Sequence, residues 1–363
     1  MNYKALIFVD GLFLPIYKVC NALKPIKTSS AKTNHFVVIK LFGIGSITRI
    51  AHVTKSINIP NKKITFITLH QNKAIIDLLD LNAVYIKSNN PFAIIGTLLA
   101  TILNVWRRKN TSILDMERVS NLSGLFRLLI GIGKPCSSFC FETKVNTTSR
   151  QNSVSLLNKP ATHAIAELFG KTYTYKPNEA LLTNKSNKIA VNINAGNYLE
   201  ERKFPVHKFT SLITSLYDKH PSWHFYLTGA NSELTYVRYF EQELIKKGIP
   251  KQQLTILAGQ HNLKDFVNHL RQVKLFITND SGPLHISYFF NVKTIGIWGP
   301  TSAKLVGYKD SELMLNLNPD LWCSPCFVHP KSKVAVVCNH NIDCLSKRNT
   351  DGMATKISKF AHT

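Results

Sequence analysis

The 363-residue chain is 44% hydrophobic and 18% charged, which supplies apolar material for two buried cores and argues against extended disorder. Forty-five Lys and Arg against 21 Asp and Glu leave a formal charge of +24, so anionic partners are favoured: nucleic acid, acidic headgroups or phosphorylated small molecules. The basic residues sit in short clusters such as Arg107-Arg108-Lys109, with no zinc-finger spacing, aromatic RNP pattern or basic zipper, which points away from nucleic acid. Seven cysteines in a chain too large to need crosslinks predict a reducing compartment.

Residues 1–34 read as a leader. Asp10, Gly11 and Pro15 interrupt its apolar stretch and no cleavage site follows, so a signal peptide is not expected. Phe8, Leu12, Phe13 and Ile16 suit either an amphipathic segment on a membrane or an element packed on the domain. From His35 the pattern becomes strand, turn, helix: Phe36–Ile39 is a β-branched run, with Gly43-Ile44-Gly45 behind it. Further strands are expected at Ile64–Leu69, Ala83–Ile86 and Ser112–Leu114, and helices over 95–108 and 121–131. The run Pro91 to Trp106 is shorter than the ~20 residues a membrane span requires, and it fits a buried helix better than an interfacial one. Polar residues around 144–154 predict a loop.

A second series begins near Lys188. Strands are expected at 189–193, 223–227, 254–257, 275–278 and 294–298, alternating with helices after Pro205, from about Ser232, after Asn262 and around Leu284. Two alternating β/α series predict an α/β chain of two Rossmann-like domains with parallel sheets facing a central cleft. The boundaries are 35–180 for the first domain, 181–345 for the second and 346–363 for a tail.

Ligands of open α/β sheets bind beyond the carboxyl ends of the strands, so four turns carry the chemistry. In Asn279-Asp280-Ser281-Gly282-Pro283-Leu284-His285, Ser281 and free backbone donors could hold a diphosphate at a helix N-terminus, with His285 one turn on; a simple capped helix is the alternative. In the second turn, Arg202 and Lys203 precede a helix start, where cations are disfavoured unless an anion or a nearby Glu200 or Glu201 compensates. Glu233, after Gly229, could accept from ribose hydroxyls or cap its helix. The fourth turn is Gly299-Pro300-Thr301-Ser302.

These turns, in this order, resemble glycosyltransferase family 9, the heptosyltransferase-like enzymes of lipopolysaccharide assembly, over roughly residues 35 to 345. Asp280-Ser281-Gly282-Pro283 with His285, and Gly299-Pro300-Thr301-Ser302, carry the likeness; Arg202-Lys203-Phe204-Pro205 and Gly229 to Glu233 support it. The resemblance implies a GT-B fold and an inverting, metal-independent transfer of a heptose or related sugar from a nucleotide-diphosphate donor such as ADP-heptose. It implies that Arg202 contacts the donor phosphates, Glu233 the ribose, Asp280 the donor sugar, and Ser281, Gly282 and His285 the diphosphate, with Lys203 and Pro283 in the same two turns. No cofactor is implied beyond the donor. The implied partners are an anionic glycan or glycolipid acceptor and the cytoplasmic membrane surface, which places the protein peripherally on the inner membrane.

One departure matters. The family's first glycine turn usually carries an aspartate as base, and here Ser46 occupies that position. A hydroxyl cannot replace a carboxylate without its own partner. Glu117 is the first substitute; Asp115, closer to the strand, suits a turn cap, and His52 comes third. A salt bridge is the alternative role for Glu117. Loss of the base leaves a catalytically silent nucleotide-sugar-binding homologue as one alternative function, and a nucleotide-sugar epimerase is another. Finally, Cys323 and Cys326, with Cys338 and Cys344 behind them, offer zinc-like C-x2-C spacing in the first pair only; buried thiols or a disulfide are the other reading.

Overall fold

The computed structural model describes residues 10–15, 18, 33–87, 90–117, 120–140, 152–155, 159–174, 186–196, 200–326, 338 and 340–362. Chain contacts divide it into two compact units, Met1–Lys176 and Pro177–Thr363. The expected boundary at 180/181 and most of the expected leader lie outside the described residues.

The first unit contains strands β1 His35–Ile39, β2 Ile64–Leu69, β3 Asn82–Ile86, β4 Thr111–Asp115, β5 Cys136–Cys140 and β6 Asn152–Ser155. Its helices are α1 Ile44–Ser56, α2 Lys73–Leu78, α3 Pro91–Arg107, α4 Asn121–Ile130 and α5 Ala161–Leu168. The strands pair in parallel in the order β3-β2-β1-β4-β5-β6, with Val38 opposite both Phe66 and Leu114. Strands buried on both faces must be apolar almost throughout, and Val37, Val38 and Ile39 are all within 1% of full burial.

The second unit repeats the plan with β7 Lys188–Asn192, β8 His224–Leu227, β9 Leu254–Ile256, β10 Leu275–Asn279, β11 Thr294–Ile297 and β12 Met314–Leu317. Helices α6 Val206–Lys219, α7 Leu234–Lys246, α8 Leu263–Leu270, α9 Gly282–Phe289, α10 Ala303–Val306, α11 Asp343–Ser346 and α12 Thr350–His362 complete it. Its parallel order is β12-β11-β10-β7-β8-β9. Both sheets therefore wind outward from a central pair, β1/β4 in one and β7/β10 in the other. That reversal opens a crevice at the carboxyl ends of the two central strands.

Three sequence expectations are revised and, for residues 10–15, the packed alternative holds, each for a physical reason. Residues 152–154, expected within a loop, belong to β6 at the sheet edge, with Val154 buried (6% exposed). The expected tail carries α12, whose Met353, Ala354 and Ile357 pack into the second core with Phe209 and Leu212 of α6. Within the leader, residues 10–15 are largely helical and docked: Asp10 accepts hydrogen bonds from Ser120 Oγ (2.6 Å) and Leu122 N (2.9 Å) at the start of α4, and Phe13 joins the first core. The third revision is α3, expected to be buried. Its Ile94, Leu98 and Val105 are buried, while Phe92, Leu99 and Leu103 remain more than half exposed.

Candidate functional site

The second unit places Arg202 at its central crevice. Nη2 donates to the carbonyl of Ala195, just past β7 (3.1 Å), and Nη1 lies 3.6 Å from Asp280 Oδ2, just past β10. One guanidinium thus spans both sides of the reversal. Its Nε is buried and has no hydrogen-bond partner among the described residues. A buried donor left unmade costs about 1–3 kcal/mol, so a ligand acceptor there is expected.

The turn that carries Arg202 is held by a buried amide network. Asn279 Oδ1 accepts from Phe204 N (3.1 Å), and its Nδ2 donates to the carbonyl of Ile193 (2.9 Å). Asn194 Nδ2 donates to Asn192 Oδ1 (3.0 Å), and Asn192 Nδ2 donates to Thr278 Oγ1 (3.2 Å). These amides lock the ends of β7 and β10 together and fix where Arg202 starts. Sequence reading assigned Asn192 and Asn194 no role. The available signal was polar side chains at the end of a run otherwise buried on both faces.

Ser281 caps α9 by position but not by side chain; its Oγ lies 3.3 Å from Thr278 Oγ1 instead. The backbone N–H groups of Ser281 and Gly282 make no hydrogen bond among the described residues. Pro283 supplies no N–H at all, so this helix start presents its positive end with few internal acceptors. In the adjoining turn after β11, Thr301 Oγ1 is likewise buried without a hydrogen-bond partner among the described residues. His285 is buried beside the crevice: Nε2 is 4.0 Å from Asp280 Oδ1 and Nδ1 is 3.3 Å from Tyr308 Oη. Asp280 itself is 5% exposed between Arg202 and His285.

Lys203 Nζ stands 5.6 Å from the centre of the Tyr236 ring, one turn into α7 from Glu233. Glu233 Oε2 accepts from Ala230 N (2.8 Å), the bond of a helix cap. Burial raises its carboxyl above the usual range, opposed by that N–H and by the Lys203 charge. Gly229 has no room for a side chain, because a Cβ would meet Asn194 Nδ2 at 2.8 Å and Glu233 Oε2 at 3.3 Å. The glycine therefore lets the amide network and Glu233 approach each other.

In the first unit, Glu117 occupies the corresponding crevice. Its Oε1 receives Lys40 Nζ (2.7 Å), and Oε2 accepts the N–H groups of Leu41 (2.9 Å) and Phe42 (3.1 Å). Glu117 thereby ties the segment after β4 to the segment after β1. Asp115 is sealed deeper, accepting from Glu117 N (3.1 Å) and Ser123 Oγ (3.3 Å), with Arg127 Nε 3.5 Å away. Burial pushes its carboxyl up to about 6, opposed chiefly by Arg127. Ser46 lies in the first turn of α1, half-buried. His52 lies six residues on, roughly two-thirds of a turn around the helix from Ser46. It is bonded to Tyr173 Oη (3.1 Å), and burial lowers it to about 4.

Cys323, Cys326, Cys338 and Cys344 are free thiols. Burial first, then the three neighbouring cysteines, pushes Cys344 up to about 11. Cys338 Sγ accepts from Ile342 N (3.3 Å). Among the described residues no group of three or more His, Cys, Asp and Glu is arranged to hold a metal ion.

The sequence pattern of glycosyltransferase family 9 (heptosyltransferase) matches residues 123–336. Lipooligosaccharide heptosyltransferase 2 of Campylobacter jejuni is 35% identical over 91 residues, 24% of this chain. That match spans only 28% of the relative's own length. Among solved structures, a family 9 glycosyltransferase from Veillonella parvula superposes with a TM-score of 0.64 at 12% identity, covering 93% of this chain and 99% of that one. ADP-heptose LPS heptosyltransferase II of E. coli gives 0.60 at 13% identity, covering 90% and 98%. At these identities the structural likeness establishes the fold, two parallel-sheet α/β units of the GT-B type.

Proposed function

Because the chain belongs to glycosyltransferase family 9, the heptosyltransferase family, we propose that it transfers a heptose or related sugar from a nucleotide-diphosphate donor of the ADP-heptose kind to a glycan or glycolipid acceptor of the lipopolysaccharide type. The observation that carries this reading is Arg202. A half-satisfied guanidinium at the central crevice, beside the α9 start and its unbonded amides, suits a diphosphate. Lys203 adds a second cation, and Glu233 is the acceptor for ribose hydroxyls. Asp280 holds Arg202 and His285 in place and borders the donor sugar.

In the proposed inverting, metal-independent reaction the acceptor hydroxyl attacks the anomeric carbon. The bond from that carbon to the diphosphate oxygen breaks, and the departing nucleoside diphosphate takes the negative charge. Arg202, Lys203 and the amides of Ser281 and Gly282 stabilise that charge where it develops. Glu117 is the proposed acceptor of the hydroxyl proton, with Asp115 bonded to its backbone N–H and Ser46 in the first helical turn after β1 of the same unit. The enzyme would work at the cytoplasmic face of the inner membrane, where a lipid-carried acceptor is presented.

A second reading has its own support. Glu117 is engaged by Lys40 and two backbone N–H groups, as a structural clamp would be, and Ser46 brings no carboxylate. On that basis the protein would bind a nucleotide sugar without transferring it. The test is a thermal-shift and calorimetric series with ADP-heptose, ADP, and UDP- and GDP-sugars, run beside a transfer assay. Specific binding raises the melting temperature by mass action. Binding with transfer supports the first reading and binding without transfer or hydrolysis the second, whereas no binding to any nucleotide sugar refutes both.

A further inference from the structure

Helix α3 carries two apolar faces. Ile94, Leu98 and Val105 pack inward, with Thr101 between them. On the other side Phe92 (82% exposed), Ile95, Leu99, Leu103 and Trp106 face solvent. At 3.6 residues per turn these five fall within an arc of about 80°, and the helix extends roughly 25 Å along it. Single exposed hydrophobics are ordinary, but a continuous stripe of this length marks an interaction surface.

Charge identifies the partner. The stripe ends in exposed Arg107, Arg108 and Lys109. Lys134 Nζ donates to the Arg108 carbonyl (2.8 Å), which brings the turn after α4, with exposed Ile132, to the same end of the helix. An apolar stripe ending in Trp and a cationic cluster is what an anionic lipid surface recognises: side chains enter the acyl boundary, the indole sits at headgroup depth, and the cations meet phosphate. No helix among the described residues is long and apolar enough to cross a membrane, so this one would lie in the interface.

We propose that α3, with the basic cluster at its C-terminal end, is the surface by which the protein docks onto an anionic bilayer. This rests on the peripheral-membrane part of the reading above and on nothing in the donor site. It moves the docking surface from the leader, where Asp10 and Phe13 are occupied with the first unit, to α3.

The test is flotation of the full chain with vesicles of phosphatidylcholine alone or with phosphatidylglycerol. The full chain should float with the anionic vesicles and be released by salt. Leu99→Glu/Leu103→Glu should abolish binding. Arg107→Ala/Lys109→Ala should weaken it roughly thirtyfold at low salt, since each basic residue near the surface counts for about fivefold. Emission attributable to Trp106, identified with Trp106→Phe, should shift to the blue on binding. Unchanged flotation of both double variants would overturn the proposal. So would a dimer in sedimentation that Leu99→Glu/Leu103→Glu splits without affecting vesicle binding, because a second copy would then be the occupant. Donor affinity measured without vesicles should be normal in every variant, which separates failure here from failure of the transferase reading.

Discussion

Replacing Arg202 with alanine removes one cation and alters two partners. The Ala195 carbonyl loses its donor, and Asp280, whose side chain is only 6% exposed, keeps the His285 ring, with Nε2 at 4.0 Å, beside its carboxylate. If the guanidinium also holds the donor diphosphate, the variant loses a charge-assisted contact worth about 1.5–3 kcal/mol. An unneutralised Asp280 carboxylate then stands near the phosphates and opposes them. The donor dissociation constant should therefore rise about 10- to 150-fold. Arg202→Lys should fall between, because it restores charge without the two-pronged geometry. Asp280→Asn in the Arg202→Ala background should recover part of the loss, and the coupling in that cycle should exceed about 0.5 kcal/mol. Calorimetry with ADP-heptose reads the affinity, and a ligand-free melt confirms that each variant is folded. A folded Arg202→Ala protein that binds within about twofold of wild type would refute the assignment, leaving Arg202 as a brace between two turns.

Glu117→Gln separates base from clamp: loss of a base lowers transfer about 10²–10⁴-fold at unchanged donor affinity, and Ser46→Asp should rescue part of it. Near-normal transfer, or a fall in melting temperature that Ser46→Asp leaves uncorrected along with the rate, would assign Glu117 to the clamp. Gly229→Ala should weaken donor binding and cost about 1–3 kcal/mol of stability, because its Cβ would displace Asn194 Nδ2 at 2.8 Å; an unaltered melt and affinity would remove the amide network from the account. The first unit also holds two groups of opposite pH dependence. His52 is lowered to about 4, so the unfolded chain takes up a proton the folded one does not, and stability is lost as pH falls from 6.5 toward 4. Asp115 is raised to about 6, so the folded chain retains a proton there that the unfolded one releases, and its stability contribution is lost as pH rises from 3.8 through 6. Asp115→Asn should steepen the acid loss of stability and His52→Gln should flatten it, read from urea midpoints at pH 7 and 4.5; parallel profiles in both variants would contradict these assignments.

The alternation of strands and helices was legible because strands covered on both faces spell continuous runs such as Ile189–Val191 and Leu275–Thr278, each followed by a turn and a helical period. Toward the β6 edge of the first sheet that signal thins. β6 offers only Val154 among polar neighbours, and β5 reads Cys-Ser-Ser-Phe-Cys, so neither announces itself. In α3 the difficulty is reversed: both faces are apolar, and pattern alone cannot say which one the sheet covers. At the site, Arg202 was legible as a cation misplaced before a helix. Its partner Asp280 lies far along the chain and becomes a neighbour only because β7 and β10 are adjacent. His285 illustrates the opposite limit. Its residue type suits anion binding, but the chain gives no sign that Tyr308, 23 residues on, is its neighbour.

The two units share one strand order yet fill their central crevices differently, and that difference argues for which unit takes the diphosphate. Beyond β1, the N–H groups of Leu41 and Phe42 already have an acceptor in Glu117, whose charge Lys40 also meets. A phosphate arriving there would have to displace a carboxylate that is already well bonded. Beyond β10, the amides of Ser281 and Gly282 have no acceptor among the described residues, and the nearest carboxylate, Asp280, is turned to Arg202 and His285. The same doubly wound geometry is thus satisfied internally in one unit and left wanting an anion in the other. Glu117 reaches the two N–H groups just ahead of the glycine turn from across the crevice, so a base and a brace are candidates for the same side chain.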